Sequence, residues 1–312
     1  MANTGGASLL SSRAIMGRLA MRLEEQAPPA WTTAVGNLVK SDQASEQYAW
    51  LGMTSPLREW VGGRNAVGFT TNSITVENKT FESTLTVLVD ELRRDKTAQI
   101  DLRVSELVNR ASEHWAKLVT DLIVANGNCY DGTAFFGASH IEGDSGTQDN
   151  AIDLVCASGT TPDAAEMESG IIKAIETMLG FKDNTGEPMN TEARNFSVMV
   201  PPTLFSVASS ALNDAVIVDG GASRTNTLVN LAGYNCSFVV NPRLTDATKF
   251  YTFRTDAAVK PFILQEETAP QISALAEGSD LEFTQDMHQY GVRVSRNVGF
   301  AYWQQAVETT CT

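Results

Sequence analysis

Between Val67 and Leu122 the apolar residues change their period, and that change constrains the fold more than any other feature of the chain. In the first part, Val67, Phe69, Ile74 and Val76 lead into Glu77-Asn78-Lys79. Phe81, Ser83, Leu85 and Val87 then alternate with Thr80, Glu82, Thr84 and Thr86. A period of two on both sides of an Asn-containing turn predicts a long β-hairpin over 60–89, opened by Gly62-Gly63. One of its faces is rich in threonine and too polar for a core. Two strands alone are marginally stable in water, so such a ribbon must lean on something else, and another subunit would serve.

A few residues later the period becomes helical. Ile100, Val104, Leu107, Val108, Ala111, Trp115, Leu118 and Leu122 fall on one stripe, with Gly127 placed to end the helix. Opposite the stripe, Arg103-Glu106, Glu106-Arg110, Arg110-Glu113, Glu113-Lys117 and Lys117-Asp121 alternate in sign at three- and four-residue spacings. Each pair contributes only about 0.2–0.5 kcal/mol, so the ladder fits the solvated face of a long helix better than it demands a partner.

Around this pair of signals the chain reads as α+β, with helices and strands partly segregated. Before it, an amphipathic run over 9–23 and Pro28-Pro29 form a stretch unable to make its own core, and an arm lying across other material is expected. After it come a Gly/Asp/Ser/Thr-rich loop over 128–161 and a helix over 163–179 carrying Ala164, Met167, Ile171, Ile175 and Met178. A buried strand over 196–200 is stopped by Pro201-Pro202, and a helix over 203–212 follows. The stretch 220–227 reads as a polar loop, 237–240 and 249–253 as strands, and 282–289 and 291–307 as two long strands.

The chain carries 23 Lys+Arg against 37 Asp+Glu, a formal charge of -14. Proteins that grip DNA neutralise phosphates with cations, and this balance repels a polyanion on average. Solubility through net charge explains the same number. No apolar run approaches the roughly 20 residues a membrane helix needs, and the first residues lack a secretory signal's basic start and apolar core, so the chain is expected to stay where it is made. Cys129, Cys156, Cys236 and Cys311 show no metal-ligand spacing and are expected to be buried thiols rather than disulfide partners.

The search for chemistry returns nothing that marks an active site. No phosphate-cradling Gly-rich motif and no nucleophile elbow is present. His114 is expected at the border of the long helix's apolar stripe, partly exposed. His140 is expected to bond the backbone of its loop, the alternative being a general base oriented by Asp131 or Asp144, and His288 is expected to lie on a polar strand face. Carboxylate pairs such as Glu266-Glu267 are ordinary in so acidic a chain. No enzyme activity, cofactor or metal is expected.

Several short motifs carry a resemblance. Tyr48-Ala49-Trp50-Leu51-Gly52, Pro56-Leu57-Arg58-Glu59-Trp60-Val61-Gly62, Glu77-Asn78-Lys79-Thr80-Phe81-Glu82, Cys129-Tyr130-Asp131-Gly132, Phe135-Phe136 and His140 are similar to the Mu-like tailed-phage major head subunits, the gpT family. The similarity is close over about 45–140 and elsewhere follows the order of elements. It implies the Hong Kong 97-type capsid fold: an N-terminal arm over 1–57 and an extended E-loop hairpin over 58–91. A peripheral domain with a long spine helix over 92–160, an axial domain over 161–262 and peripheral return strands over 263–312 complete it. The implied function is a major capsid protein that self-assembles into pentamers and hexamers of an icosahedral head around packaged dsDNA, without binding that DNA specifically. The alternative is an encapsulin-type shell protein of a bacterial nanocompartment. Implied partners are further copies of the chain, a separate scaffolding protein (no long scaffold-like extension precedes the arm), a portal protein and a decoration protein. No membrane is involved, and the place is the virion capsid, assembled in the host cytoplasm. Candidate intersubunit contacts are Trp60, Arg64, Phe69, Glu77, Lys79 and Phe81 on the hairpin, with Arg103, Glu106, Arg110 and Lys117 on the helix. A Lys–Asn weld between subunits through Lys79 is not expected, because nothing marks its partners.

Overall fold

The computed structural model describes residues 12–25, 27–51, 71–94 and 99–312. In chain order the elements are α1 (Ser12–Glu25), α2 (Ala30–Val35), β1 (Gly36–Lys40), β2 (Ser45–Leu51), β3 (Thr71–Glu77), β4 (Lys79–Leu88), α3 (Val89–Arg94) and α4 (Gln99–Ala125). There follow β5 (Ala151–Leu154), α5 (Ala164–Gly180), β6 (Asn195–Val200), α6 (Phe205–Asn213), β7 (Val216–Asp219), β8 (Ala222–Thr225), β9 (Asn235–Val240) and β10 (Lys249–Arg254). The last are β11 (Phe262–Leu275), α7 (Asp280–Gln285), β12 (Met287–Phe300) and β13 (Ala306–Cys311).

Two sheets carry the fold. One has the order β1-β11-β12-β4, with β1 parallel to β11 and the rest antiparallel. The other has the order β5-β13-β10-β6-β9, in which β5 runs parallel to β13 and β9 to β6. The long helix α4 joins their cores because its stripe is longer than either core is wide. Its first half sets Leu107 and Val108 against Ile15 and Leu19 of α1, Val87 of β4, and Tyr290 and Val292 of β12. Its second half sets Trp115, Val119 and Ile123 into the larger core with Met167 and Ile171 of α5 and Phe196, Phe250 and Phe253 of the five-stranded sheet. α4 ends at Asn126, whose left-handed backbone (φ 43°) is fixed by its own side chain: Nδ2 donates to the Phe136 carbonyl and Oδ1 accepts from the Phe136 amide. The expected terminator, Gly127, is not the left-handed residue.

α5 starts on a capping box, with Asp163 accepting from the Ala165 and Glu166 amides while the Glu166 carboxylate accepts from the Asp163 amide. Its Gly170 lets Leu154 and Phe250 come so close that a Cβ there would meet each at 2.9 Å. The helix therefore lies flat on β5 and β10.

Several expectations are corrected. The two period-two runs do not pair with each other: β3 pairs with β2, and β4 pairs with β12, so Asn78 is the point where the chain leaves one sheet for another. The hairpin is β2–β3, not a turn centred on Asn78. α1 and β1, in the stretch expected as an arm over other material, pack on the chain's own body: Ile15 and Leu19 are buried, and β1 extends the sheet beside β11. The expected loop over 220–227 is largely a hairpin, β7–β8, turned by Gly220 and Gly221 at positive φ. β11 was not anticipated. The expected strand over 282–289 falls on α7 and the start of β12, and β12 runs unbroken through Gly291. β13, expected among the peripheral return strands, lies inside the five-stranded sheet, as β5 lies on its edge. Finally, Cys156 and Cys311 form a disulfide (Cα–Cα 5.7 Å) because the parallel β5–β13 register brings Cys311 beside Leu154. Cys129 and Cys236 are free.

Candidate intersubunit surfaces

The β2–β3 ribbon is anchored at its root and, among the described side chains, open along one face beyond it. At the root, the Asn78 amide donates to the Ala44 carbonyl (2.8 Å), and its Nδ2 donates to Gln43 O (2.7 Å) and Ser41 Oγ (3.1 Å). Asn297 of β12 donates to the Glu77 carbonyl (2.6 Å). Gln265, fully buried in β11, donates through Nε2 to the Val76 carbonyl (3.1 Å) and accepts from the Tyr48 hydroxyl (2.8 Å). Burial, reinforced by Glu46, pushes the Tyr48 phenol up to about 12, so it stays a donor at any working pH. Val76 lies over Gly299 so closely that a Cβ on that glycine would sit 2.4 Å from Val76 Cγ2. Further out, Gln47, Ala49, Ser73 and Thr75 are exposed, and among the ribbon side chains described only Val76 is buried. The strands run in register from Ser45↔Glu77 to Leu51↔Thr71, with Ile74 partly buried against the larger core on the opposite face.

The second surface is the outer face of α4. Arg103 pairs with Glu106 (2.8 Å) and Lys117 with Asp121 (2.5 Å), both exposed, while Glu113 faces Arg243 at 3.9 Å. Glu106, Arg110, Glu113, His114, Lys117 and Arg243 border an open depression of about 590 Å³. Below it, Phe81 of β4 meets the His114 ring edge-on at 4.3 Å. Arg296 of β12 holds this junction from beneath: Nε donates to His114 Nδ1 (3.1 Å), an Nη donates to the Ala111 carbonyl, and the guanidinium lies 4.7 Å over the Trp115 ring. Burial, and then the Arg296 charge, lower His114 to about 4, which keeps the ring neutral and able to accept. Arg296 itself, being buried, is lowered to about 10.

The expected contact residues fall into three groups. Phe81, Arg103, Glu106, Arg110 and Lys117 gather on or beside the α4 face, and Glu77 and Lys79 flank the ribbon root, both exposed. Trp60, Arg64 and Phe69 lie outside the described residues. Sequence reasoning missed the root clamp and Arg296. Gln265 and Arg296 are polar residues inside strands, the only signal the sequence offered for them.

The histidines differ from expectation in two cases. His140 exchanges backbone bonds with Gln148, but its ring is held by Asp131 (Nδ1 to Oδ2, 2.6 Å) and stacked on Trp303 at 4.1 Å, all of it buried. The pair pins the loop after α4 to the turn before β13, shut away from solvent. His288 is buried rather than on a polar face, 3.4 Å from Glu282. Among the described residues no group of three or more His, Cys, Asp or Glu is placed to hold a metal ion.

A sequence model of the Mu-like prophage major head subunit gpT matches residues 20–164 and 233–312. The chain belongs to that family. It is 22% identical over 281 residues to the Mu-like prophage FluMu major head subunit of Haemophilus influenzae, covering 89% of this chain and 65% of that protein. It is 23% identical over 282 residues to the major capsid protein of Escherichia phage Mu, covering 89% and 66%. The chain thus spans about two thirds of the length of these curated relatives. Its fold matches the procapsid subunit of bacteriophage JBD30 with a TM-score of 0.53 at 22% identity, over 96% of this chain and 75% of that one. The architecture is the Hong Kong 97-type capsid fold, α+β as expected.

Proposed function

We propose that this chain is a major capsid subunit of a tailed phage, assembling into pentamers and hexamers of a closed head around dsDNA. The observation that carries the reading, beside family membership, is the β2–β3 ribbon: rooted by a buried polar clamp, yet with the face that bears Gln47, Ala49, Ser73 and Thr75 open to solvent. A two-stranded ribbon of seven paired residues with one face open is marginal in water, and a neighbouring copy supplies a layer for that face. In this reading the four-stranded sheet with α4 is the peripheral domain, and the five-stranded sheet with α5 and α6 is the axial domain that meets its copies around the symmetry axes. Glu77, Lys79, Phe81, Arg103, Glu106, Arg110 and Lys117 lie where ribbon and helix contacts form. Trp60, Arg64 and Phe69, outside the described residues, complete the proposed contact set.

Each contact is small, and the shell is stable because many act together. A charge of -14 suits a wall that encloses DNA without gripping it. The partners in this reading are a scaffolding protein, a portal and a decoration protein, with assembly in the host cytoplasm. The gpT match favours a phage head over a nanocompartment with enzyme cargo. Co-expression with the phage's scaffolding protein followed by negative-stain microscopy tests it. Closed shells are expected, and a preparation that stays small and soluble under all assembly conditions refutes it.

A further inference from the structure

We propose that the Cys156–Cys311 pair is a redox-operated lock on the edge of the five-stranded sheet, open while the chain folds as a dithiol and closed by a small disulfide oxidant afterwards. The inference goes beyond the shell reading and holds for the free subunit. β5 is the edge strand of its sheet, and its strand pairing is limited to four register pairs with β13, from Glu308↔Ala151 to Cys311↔Leu154. Directly after it, Val155 is 84% exposed and residues 157–161 are all exposed. An edge strand with a loose end is a template for wrong pairing, most dangerous where identical chains crowd together. The disulfide sits at this weak point, joining the residue two past β5 to the last residue of β13, alongside the bonds Cys156 N to Thr312 O and Thr312 N to Leu154 O.

Both cysteines are buried, at 5% and 4% exposure, but Cys156 lies one residue beneath the exposed loop. Displacement of that loop uncovers the sulfur without unfolding the sheet. The Cys156 thiolate then attacks a low-molecular-weight disulfide such as oxidised glutathione, forming a mixed disulfide and releasing one small thiolate. The Cys311 thiolate attacks the Cys156 sulfur, closing the Sγ–Sγ bond and releasing the second. The two protons lost by the cysteines end on the two released thiols, and the oxidant is reduced by two electrons. The other cysteines do not compete, on geometry: the β5–β13 register sets Cys156 beside Cys311, whereas Cys129 and Cys236 are each free, with no cysteine at bonding distance.

The test begins with purified full chain reduced by a phosphine and then treated with oxidised glutathione. Alkylation under denaturing conditions and intact mass should show a fall from four free thiols to two, and peptide mapping should join Cys156 to Cys311. Hydrogen exchange of residues 151–159 should be about tenfold slower in the oxidised form, with α4 unchanged, as expected for suppression of a local opening. C311S should exchange like the reduced wild type in both conditions. If that variant fails to fold, the reduced and oxidised wild type give the comparison alone. A bond that does not form in the folded chain, a bond mapped to Cys129 or Cys236, or equal exchange at 151–159 in the two forms overturns the proposal.

Discussion

The β2–β3 ribbon and the five-stranded sheet are built from the same kind of strand and reach stability by different routes. In the sheet, β6 reads buried at five successive positions and β10 at five of six, because α5 and α6 cover one face and the rest of the core the other. In the ribbon, Val76 is the one buried side chain among those described, and what fixes the ribbon is a polar clamp with the Val76 and Ile74 contacts beside it. The sheet is stable through what it buries within the chain. The ribbon is positioned by the chain but covered by it on one face only. A part that is held but left open on one face is prepared for contact with something else.

That contrast can be broken in graded steps. The largest effect on stability is expected from Phe253→Ala in β10, which removes a fully buried ring and costs about 3–5 kcal/mol, measured by urea unfolding. Replacing residues 49–73 with a two-residue Asn-Gly turn, which keeps the Tyr48–Ile74 pair and the root clamp, should leave the unfolding transition of the remainder almost unchanged while abolishing assembly. The truncation must stop before Asn78, since β4 beyond it is a paired strand of the four-stranded sheet. Loss of folding there would show that the ribbon serves its own subunit.

Arg296→Met comes next, at about 2–3 kcal/mol, since it leaves the Ala111 carbonyl and His114 without their donor and removes the cation over Trp115. Its signature should be a change in Trp115 fluorescence with the ribbon undisturbed. Tyr48→Phe should cost about 1 kcal/mol, seen mainly as faster hydrogen exchange in β2 and β3, because Gln265 loses its partner at the ribbon root. Lys117→Ala should lie at the bottom of the scale, within about 1 kcal/mol in the free subunit, because its pair with Asp121 is exposed and screened. Any defect it causes should therefore appear in assembly.

A pH titration separates the α4 junction from both regions. His114 is lowered to about 4 in the folded chain against 6.5 for an ordinary histidine, so the unfolded chain binds the extra proton. The stability this ring lends is present above pH 6.5, is lost as pH falls towards 4, and changes no further below that. Since the ring is half exposed, the loss should be on the order of 1 kcal/mol after allowance for solvent. His114→Gln should flatten that part of the profile.

What could be read from the sequence follows from how local each signal is. α4 and α5 were legible because a helix repeats its face within a few residues, and Asp163 and Glu166 cap α5 within one turn. The partners of β3 and β4 were not legible. Their alternation says that each is a strand with one wetter face, but it carries no information about which distant strand lies alongside. A turn residue between them suggested the wrong neighbour. β11 escaped notice because its first residues are buried on both sides while its later ones alternate through Thr268, Pro270 and Gln271, so no single period spans it. The contact candidates on α4 were found from charge spacing, whereas the clamp of Tyr48, Gln265, Asn78 and Asn297 joins residues up to 220 positions apart. The disulfide depends on a parallel register 155 residues apart, which no spacing rule encodes.

The central claim is that the ribbon is completed by a neighbour. A cryo-electron microscopy reconstruction of the assembled shell, at a resolution that traces strands, tests it most directly. The account predicts density for β2 and β3 crossing onto the α4 face of an adjacent copy, close to Arg103, Arg110 and Lys117. A ribbon folded back over its own subunit, or projecting into solvent with no neighbour against it, would contradict the claim.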